Sequence, residues 1–464
     1  MRQLHDLSAV ELLAAYRSRA LSPLEVTRAV LAHIERWEPH LHATYALDPE
    51  GALAMARASE QRWMAGQPLG ALDGVPAMIK ENIATKGVPV PLGTAATELV
   101  PASEDAPPAA RLRETGAVLL GKTTMPDYGM LSSGLSSFHA LARNPWDLSK
   151  GPGGSSAGAG AGAAAGYGPL HVGTDIGGSI RLPACWCGVF GLKPSNGRIP
   201  IKPPYYGRVA GPLTRSVADA ALMMQVLSQP DARDTMSLPP PAAIAWTHME
   251  RQVRGLRVGL LLDAGWGLAV EGGTASAVQA AARAFEGAGA IVEPLRPFTT
   301  RAMIDGLDNF WRMRSWLDFS ALPPGRQAKV LPYIRAWIGT AEGLSGADVF
   351  HGFSQMGAIR DATLAATQPF DFVLSPVSPV PAFTAEWASP IDDPQRPFEH
   401  IAFTLPFNMS EQPAASINCG FTASGLPIGL QISGRRFDDL GVLQLARAYE
   451  ELRGPQRPWP TPPA

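Results

Sequence analysis

The sequence predicts an α/β fold, a mixed or parallel β-sheet covered by helices on both faces. Three observations carry this expectation. Short apolar runs recur between Gly/Pro turns, at 75–79, 117–120, 257–262, 372–374, 415–417 and 428–432. Helical periodicities lie between them, including 274–286 and 440–452. Apolar residues make up 46% of the 464-residue chain and charged residues 17%, which is ample for a large core and the opposite of a disordered composition. Strands that alternate with helices bury both sheet faces.

The chain opens with helices. Ser8 and Glu11 form a capping box, and Leu12, Leu13 and Tyr16 continue an apolar face. Ser22, Pro23 and Glu25 repeat the start signal with proline at the first helical position. Val26, Val30, Leu31 and Ile34 then line one face as far as Pro39, and a third helix is expected over 51–64. The texture changes near Gly70. The expected organisation is therefore an N-terminal helical segment, 1–66, packed on a larger domain, 67–464. Within that domain the Trp-, Met- and Phe-rich stretch 300–352 reads as a helical insertion, and the Pro-rich 230–254 as a surface connection.

Net charge is −2, from 39 basic and 41 acidic residues, which argues against a nucleic-acid partner. Cys185, Cys187 and Cys419 cannot all pair, so a reducing compartment is the simpler reading. Cys185-x-Cys187 alone is a poor metal signature, and no metal site is expected. The charged opening, Met1 to Asp6, leads straight into a helix and predicts no signal peptide. The uncharged stretch 151–174 is no membrane span, because 151–168 holds eight Gly and six Ala with almost no large apolar side chains. A cytoplasmic protein without a membrane partner is the expectation.

The chemistry is concentrated in two glycine-rich stretches, Gly151-Pro-Gly-Gly-Ser-Ser-Ala-Gly158 and Gly173-Thr-Asp-Ile-Gly-Gly-Ser-Ile-Arg181. A phosphate loop would close on Lys-Ser/Thr, which is missing. Gly154-Ser-Ser156-Ala-Gly158 fits a nucleophile elbow with Ser156 at its tip, which would need a later histidine such as His351 or His400. A third reading uses Lys80, at the end of an apolar run in Asp73-Gly-Val-Pro-Ala-Met-Ile-Lys-Glu-Asn-Ile83. Desolvation disfavours an ammonium, so a buried Lys80 could be neutral and serve as base for a serine hydroxyl. A purely structural role for the two turns is the bland alternative.

Lys80, Gly153-Gly-Ser-Ser156 and Gly173-Thr-Asp-Ile-Gly-Gly-Ser-Ile-Arg-Leu-Pro-Ala184 resemble the amidase signature family. Arg143-Asn-Pro-Trp-Asp147, Cys187-Gly-Val-Phe-Gly-Leu-Lys-Pro194, Gly211-Pro-Leu-Thr-Arg-Ser216 and Gly425-Leu-Pro-Ile-Gly-Leu-Gln431 extend the likeness over roughly 72–451. The resemblance implies a single large mixed sheet and a serine amidohydrolase without cofactor. Ser179 would be the nucleophile, and Ser155, preceded by a cis peptide bond, would relay protons to Lys80. The N–H groups of Ile176, Gly177, Gly178 and Ser179 would form the oxyanion hole. Ser156, Thr174, Asp175 and Arg181 would be supporting residues. Ala157-Gly158-Ala159 departs from the family's Gly-Gly-Ser.

The expected substrate is a small-molecule aryl or alkyl amide, with esters and carbamates as further candidates. Met130 and Leu131 of Asp127-Tyr-Gly-Met-Leu131, Tyr205, Tyr206 and the 311–316 region are the expected pocket lining. A homodimer is a candidate assembly. Two rival functions share the signature. One is the glutamine-hydrolysing component of a tRNA-dependent amidotransferase, whose Tyr-Gly-rich motif finds no match near 332–344. The other is a catalytically silent binding homologue.

Overall fold

The computed structural model describes residues 3–239 and 244–463. Met1, Arg2 and residues 240–243 of the predicted 230–254 connection lie outside the described residues.

The start signals in the sequence are used as expected. The helix Ala9–Arg17 carries the reciprocal capping box of Ser8 and Glu11. Pro23–Leu41 begins on the Ser22 cap with proline in the first turn. It runs two residues beyond the expected stop at Pro39 and ends at His42 in the left-handed region. A proline in the last turn removes only one helical hydrogen bond, so the helix tolerates it there. Pro49–Met64 starts two residues early because Asp48 caps the Gly51 amide at 2.9 Å.

Among the described residues eleven strands form one mixed sheet: β1 (Thr44–Tyr45), β2 (Pro76–Lys80), β3 (Val118–Thr123), β4 (Leu170–Asp175), β5 (Phe190–Lys193), β6 (Val209–Thr214), β7 (Arg257–Leu260), β8 (Ile291–Pro294), β9 (Phe372–Pro376), β10 (Ala414–Phe421) and β11 (Pro427–Gly434). Their order is β1-β3-β2-β4-β6-β5-β10-β11-β9-β7-β8. All six apolar runs read from the sequence fall on strands. Five strands carry no such run: Gly or Pro interrupts β4, β5 and β6, β8 ends on Pro294, and β1 is only two residues long.

Side-chain alternation along the strands feeds two cores, as a pleated sheet requires. Phe372 and Leu374 of β9 and Ala415 and Ile417 of β10 join one core, with Val30, Met224, Phe285 and Leu445 from covering helices. Val373 and Ala414 face the other, with Leu307, Trp337, Ile359 and Phe407. The expected helical stretch 300–352 is observed as Arg301–Ser320, Pro324–Gln327, Pro332–Gly339 and Gly346–Thr367, so it continues to Thr367.

The wholly buried helix Ala157–Ala165 contains nothing but Gly and Ala. A Cβ at Gly158 would lie 2.1 Å from the Ala43 carbonyl oxygen and 2.6 Å from the Thr124 nitrogen, both backbone atoms. Gly357, inside Gly346–Thr367, has open space around its missing Cβ apart from the far end of Arg360. The two glycines should therefore respond with opposite sign to the same change. Gly158→Ala should cost about 1–3 kcal/mol or more through overpacking, and Gly357→Ala should gain roughly 0.5–1 kcal/mol in helix propensity. Thermal unfolding of both variants checks this; a neutral Gly158→Ala would mean the helix is free to move off the sheet.

Candidate active site

β2 and β4 run parallel as neighbours, with Met78 opposite His171 and Ile79 opposite Val172. They therefore end at the same edge of the sheet, β2 on Lys80 and β4 on Asp175. Loops leaving the carboxyl ends of parallel strands are where such sheets build sites. Ser155 and Ser156 reach this edge from the turn that precedes the Ala157–Ala165 helix.

Lys80 is fully buried, and its Nζ donates to Ser155 Oγ at 2.8 Å and Ser156 Oγ at 3.0 Å. Ser156 Oγ in turn donates to the Thr174 carbonyl at 3.2 Å and accepts from the Thr174 N–H at 3.3 Å. The Gly154–Ser155 peptide bond is cis. Burial drives the Lys80 pKa well below the ordinary lysine value, and the Arg208 charge pushes the same way, against Asp175 and Glu81. The amine is thus disposed to be neutral while held against a serine hydroxyl.

The loop from Ile176 to Ile180 is wrapped around the Asp175 carboxylate. Asp175 accepts from the N–H groups of Gly178 at 2.8 Å and Ile180 at 3.1 Å. Arg181 grips it through Nε at 3.0 Å and Nη2 at 2.9 Å, with both side chains fully buried. Burial by itself would raise this carboxyl's pKa; the Arg181 guanidinium and the Asn408 amide outweigh it and hold the group far below the usual carboxylate range. Arg181 also donates to the Thr404 carbonyl and to Gln431, both at 2.8 Å, which ties the loop to the Leu405–Met409 helix and to β11.

This arrangement corrects one expectation. The Gly178 N–H is engaged by Asp175 and so is not available as an oxyanion donor. Ile176, Gly177 and Ser179 have no hydrogen bond to their N–H groups among the described residues, and all three line a cavity of about 320 Å³.

Ser155 and Ser179 open on that cavity. Ser156 is fully buried beneath it, so the elbow reading fails on access. His351 is exposed on a distant helix and His400 is buried against Trp186; neither hydrogen-bonds any of these serines. Of the expected lining, Met130, Leu131, Tyr205 and Trp311 are in the wall. Tyr206 is not: its hydroxyl turns away to donate to the Met409 carbonyl at 3.0 Å. Asp127 is also elsewhere, accepting from Ser137 and the Leu331 N–H.

Several wall residues escaped the sequence reading. Asn82, two positions after Lys80, donates to Thr174 Oγ1 at 3.1 Å. Arg208 and Phe398 also line the cavity, as does Arg314 of the expected 311–316 region. Arg208 follows the Tyr205-Tyr206 pair closely enough to have been noticed; Asn408, which bonds Asp175, carries no local signal at all. Among the described residues no group of His, Cys, Asp and Glu is placed to hold a metal ion, and no helix is long and apolar enough to cross a membrane.

A family model described as Amidase matches residues 25–443. A glutamyl-tRNA(Gln) amidotransferase subunit from Myxococcus xanthus (strain DK1622) is 37% identical, over 97% of each chain. A bacterial aryl acylamidase of the amidase signature family superposes with a TM-score of 0.88 at 30% identity, over 97% of this chain and 96% of that one. A 6-aminohexanoate cyclic dimer hydrolase solved with its substrate gives 0.87 at 26% identity, over 97% of both chains.

Removing Arg181 leaves a buried carboxylate without its counter-charge. Arg181→Met should therefore destabilise the fold by about 3–5 kcal/mol at neutral pH. Asp175 has a lowered pKa in the folded state, so its contribution is complete above the unfolded value near ~4 and is lost as pH falls below it. The gap in unfolding midpoint between wild type and Arg181→Met should accordingly narrow in acid. Equal midpoints at pH 7 would overturn this account of the loop.

Proposed function

The chain belongs to the amidase signature family and is a hydrolase of amide C–N bonds, and from that premise we propose a Lys80–Ser155–Ser179 mechanism acting on an aryl or alkyl amide. The observation that carries the proposal is the 2.8 Å contact between buried Lys80 and Ser155, beside a Ser179 that opens on the same cavity. Neutral Lys80 takes the Ser155 proton as Ser155 takes that of Ser179, and Ser179 Oγ attacks the substrate carbonyl. The N–H groups of Ile176, Gly177 and Ser179 receive the developing oxyanion; one such donor is typically worth ~3–4 kcal/mol of transition-state stabilisation. The proton returns through Ser155 to the leaving amine. Water then hydrolyses the acyl-enzyme on Ser179 by the same relay. Tyr128, Met130, Leu131, Tyr205, Trp311 and Phe398 give the wall an aromatic and apolar character suited to such a substrate.

A second reading makes glutamine the substrate, as in a tRNA-dependent amidotransferase working through several partner chains. The higher identity to the Myxococcus xanthus protein than to the aryl acylamidase favours it, and on sequence it is the better supported of the two. The cavity chemistry favours the first reading. Glutamine's α-ammonium needs an anion, and the one carboxylate in the wall among the described residues, Asp175, is already bound by Arg181 and Asn408. The purified single chain, assayed on anilides, primary amides, carbamates, esters and glutamine, separates them: turnover of anilides supports the first, and turnover of glutamine alone supports the second.

The relay has a pH signature. The active form has Lys80 neutral, so activity is lost as pH falls through its lowered pKa, and kcat/KM should rise from acid towards neutral pH with one controlling group. Lys80→Ala should remove that limb and slow anilide hydrolysis by several orders of magnitude. A nitrophenyl ester should suffer less, since nitrophenolate leaves without a proton. Measuring both substrates on both proteins from about pH 5 to about pH 10 decides the matter; an unchanged acid limb in Lys80→Ala would remove Lys80 from the relay. Ser179→Ala should abolish acyl-enzyme formation, which fluorophosphonate labelling reads directly.

A further inference from the structure

The cavity holds two arginines that the mechanism does not use. The buried arginines among the described residues each meet a carboxylate: Arg181 pairs with Asp175, Arg198 with Asp439 and Arg312 with Asp308. Arg208 is half-buried in the cavity wall and has none. Its side chain donates a single long bond, 3.4 Å, to the Pro203 carbonyl. Arg314, at the exposed rim, stacks its guanidinium over the Tyr205 ring at 4.4 Å and likewise forms no ion pair. Burial lowers the Arg208 pKa to about 10, with the Arg314 charge adding to the effect. Between them, Tyr205 Oη and Trp311 Nε1 are buried and meet no partner at hydrogen-bond geometry.

Two like charges facing one cavity are costly unless something anionic is bound there. We propose that Arg208 and Arg314 form an anion subsite, and that the preferred amide carries a carboxylate remote from its scissile bond. The proposal rests on the amidohydrolase reading of the same cavity and names its substrate class. A planar guanidinium matches a carboxylate in geometry. Asp175, fully bound by Arg181, does not compete for either arginine.

The test reads binding apart from turnover. Ser179→Ala protein is titrated by calorimetry with N-(4-nitrophenyl)succinamate against its neutral counterpart N-(4-nitrophenyl)butanamide. A second pair, 4-acetamidobenzoate against acetanilide, places the carboxylate on the amine side. The anionic member of at least one pair should bind roughly 10–100-fold tighter, the range expected for a charge-assisted contact. That ratio should fall to within about threefold when Arg208→Gln and Arg314→Gln are added. Arg208→Lys, which keeps the charge, should retain part of it and so separate loss of charge from loss of fold. Absence of discrimination in both pairs, or discrimination that survives the double Gln variant, overturns the subsite. Failure of the wild-type chain to hydrolyse any of the four amides would count against the amidohydrolase reading alone, because the titrations do not depend on turnover.

Discussion

The Asp175 carboxylate is the constraint around which the site is built. It sits at the end of β4, fully buried, and is satisfied by three backbone N–H groups, the Arg181 guanidinium and the Asn408 amide. A buried charge left unpaired is costly, so the loop that follows β4 has little freedom but to coil around it. That coil spends the Gly178 amide on the carboxylate and leaves those of Ile176, Gly177 and Ser179 directed elsewhere. It also sets Ser179 on the cavity side, while Arg181 reaches across to Thr404 and Gln431. One ion pair therefore ties the loop to segments more than two hundred residues further along the chain.

The second constraint is space. Lys80 ends its strand inside the protein, where its amine meets two serine hydroxyls and no carboxylate. For Ser155 and Ser156 to come that close, the helix behind them has to lie almost on the backbone of its neighbours. The contact that a side chain at Gly158 would make with the Ala43 carbonyl explains why large residues are missing there. Three of that helix's nine residues are glycine and the rest alanine. Its glycines lower helix propensity and in return permit a packing distance that no other residue allows.

Much of the architecture was readable beforehand. Capping residues Ser8, Ser22 and their partners marked helix starts, because a cap is a local hydrogen bond between residues three apart. The apolar runs at 75–79, 372–374 and 428–432 marked strands, because fully buried strands need no polar alternation. β4 and β6 were missed where Gly and Pro dilute the pattern, and the stop at Pro39 was misplaced because position within a helix decides what proline costs. The residues of the proposed relay were also legible, since Lys80, Ser155 and Ser179 lie within characteristic short motifs. Tyr206 was misjudged for a different reason: adjacent tyrosines on a turn point apart, and only contact with Met409 reveals which one leaves the cavity.

By itself the sequence determined the layered α/β plan, the positions of most helices and strands, and the identity of the serines and lysine. These depend on local hydrogen bonds, on periodicity over a few residues and on motifs contiguous in the chain. Tertiary structure alone decided which loop amide is spent on Asp175, that Ser156 is sealed off while Ser179 is accessible, and that Arg208 and Arg314 stand there without carboxylate partners among the described residues. Each of those outcomes turns on residues far apart in the chain meeting in space. Burial and pairing of a charge are properties of that meeting, and nothing in the local order of residues encodes them.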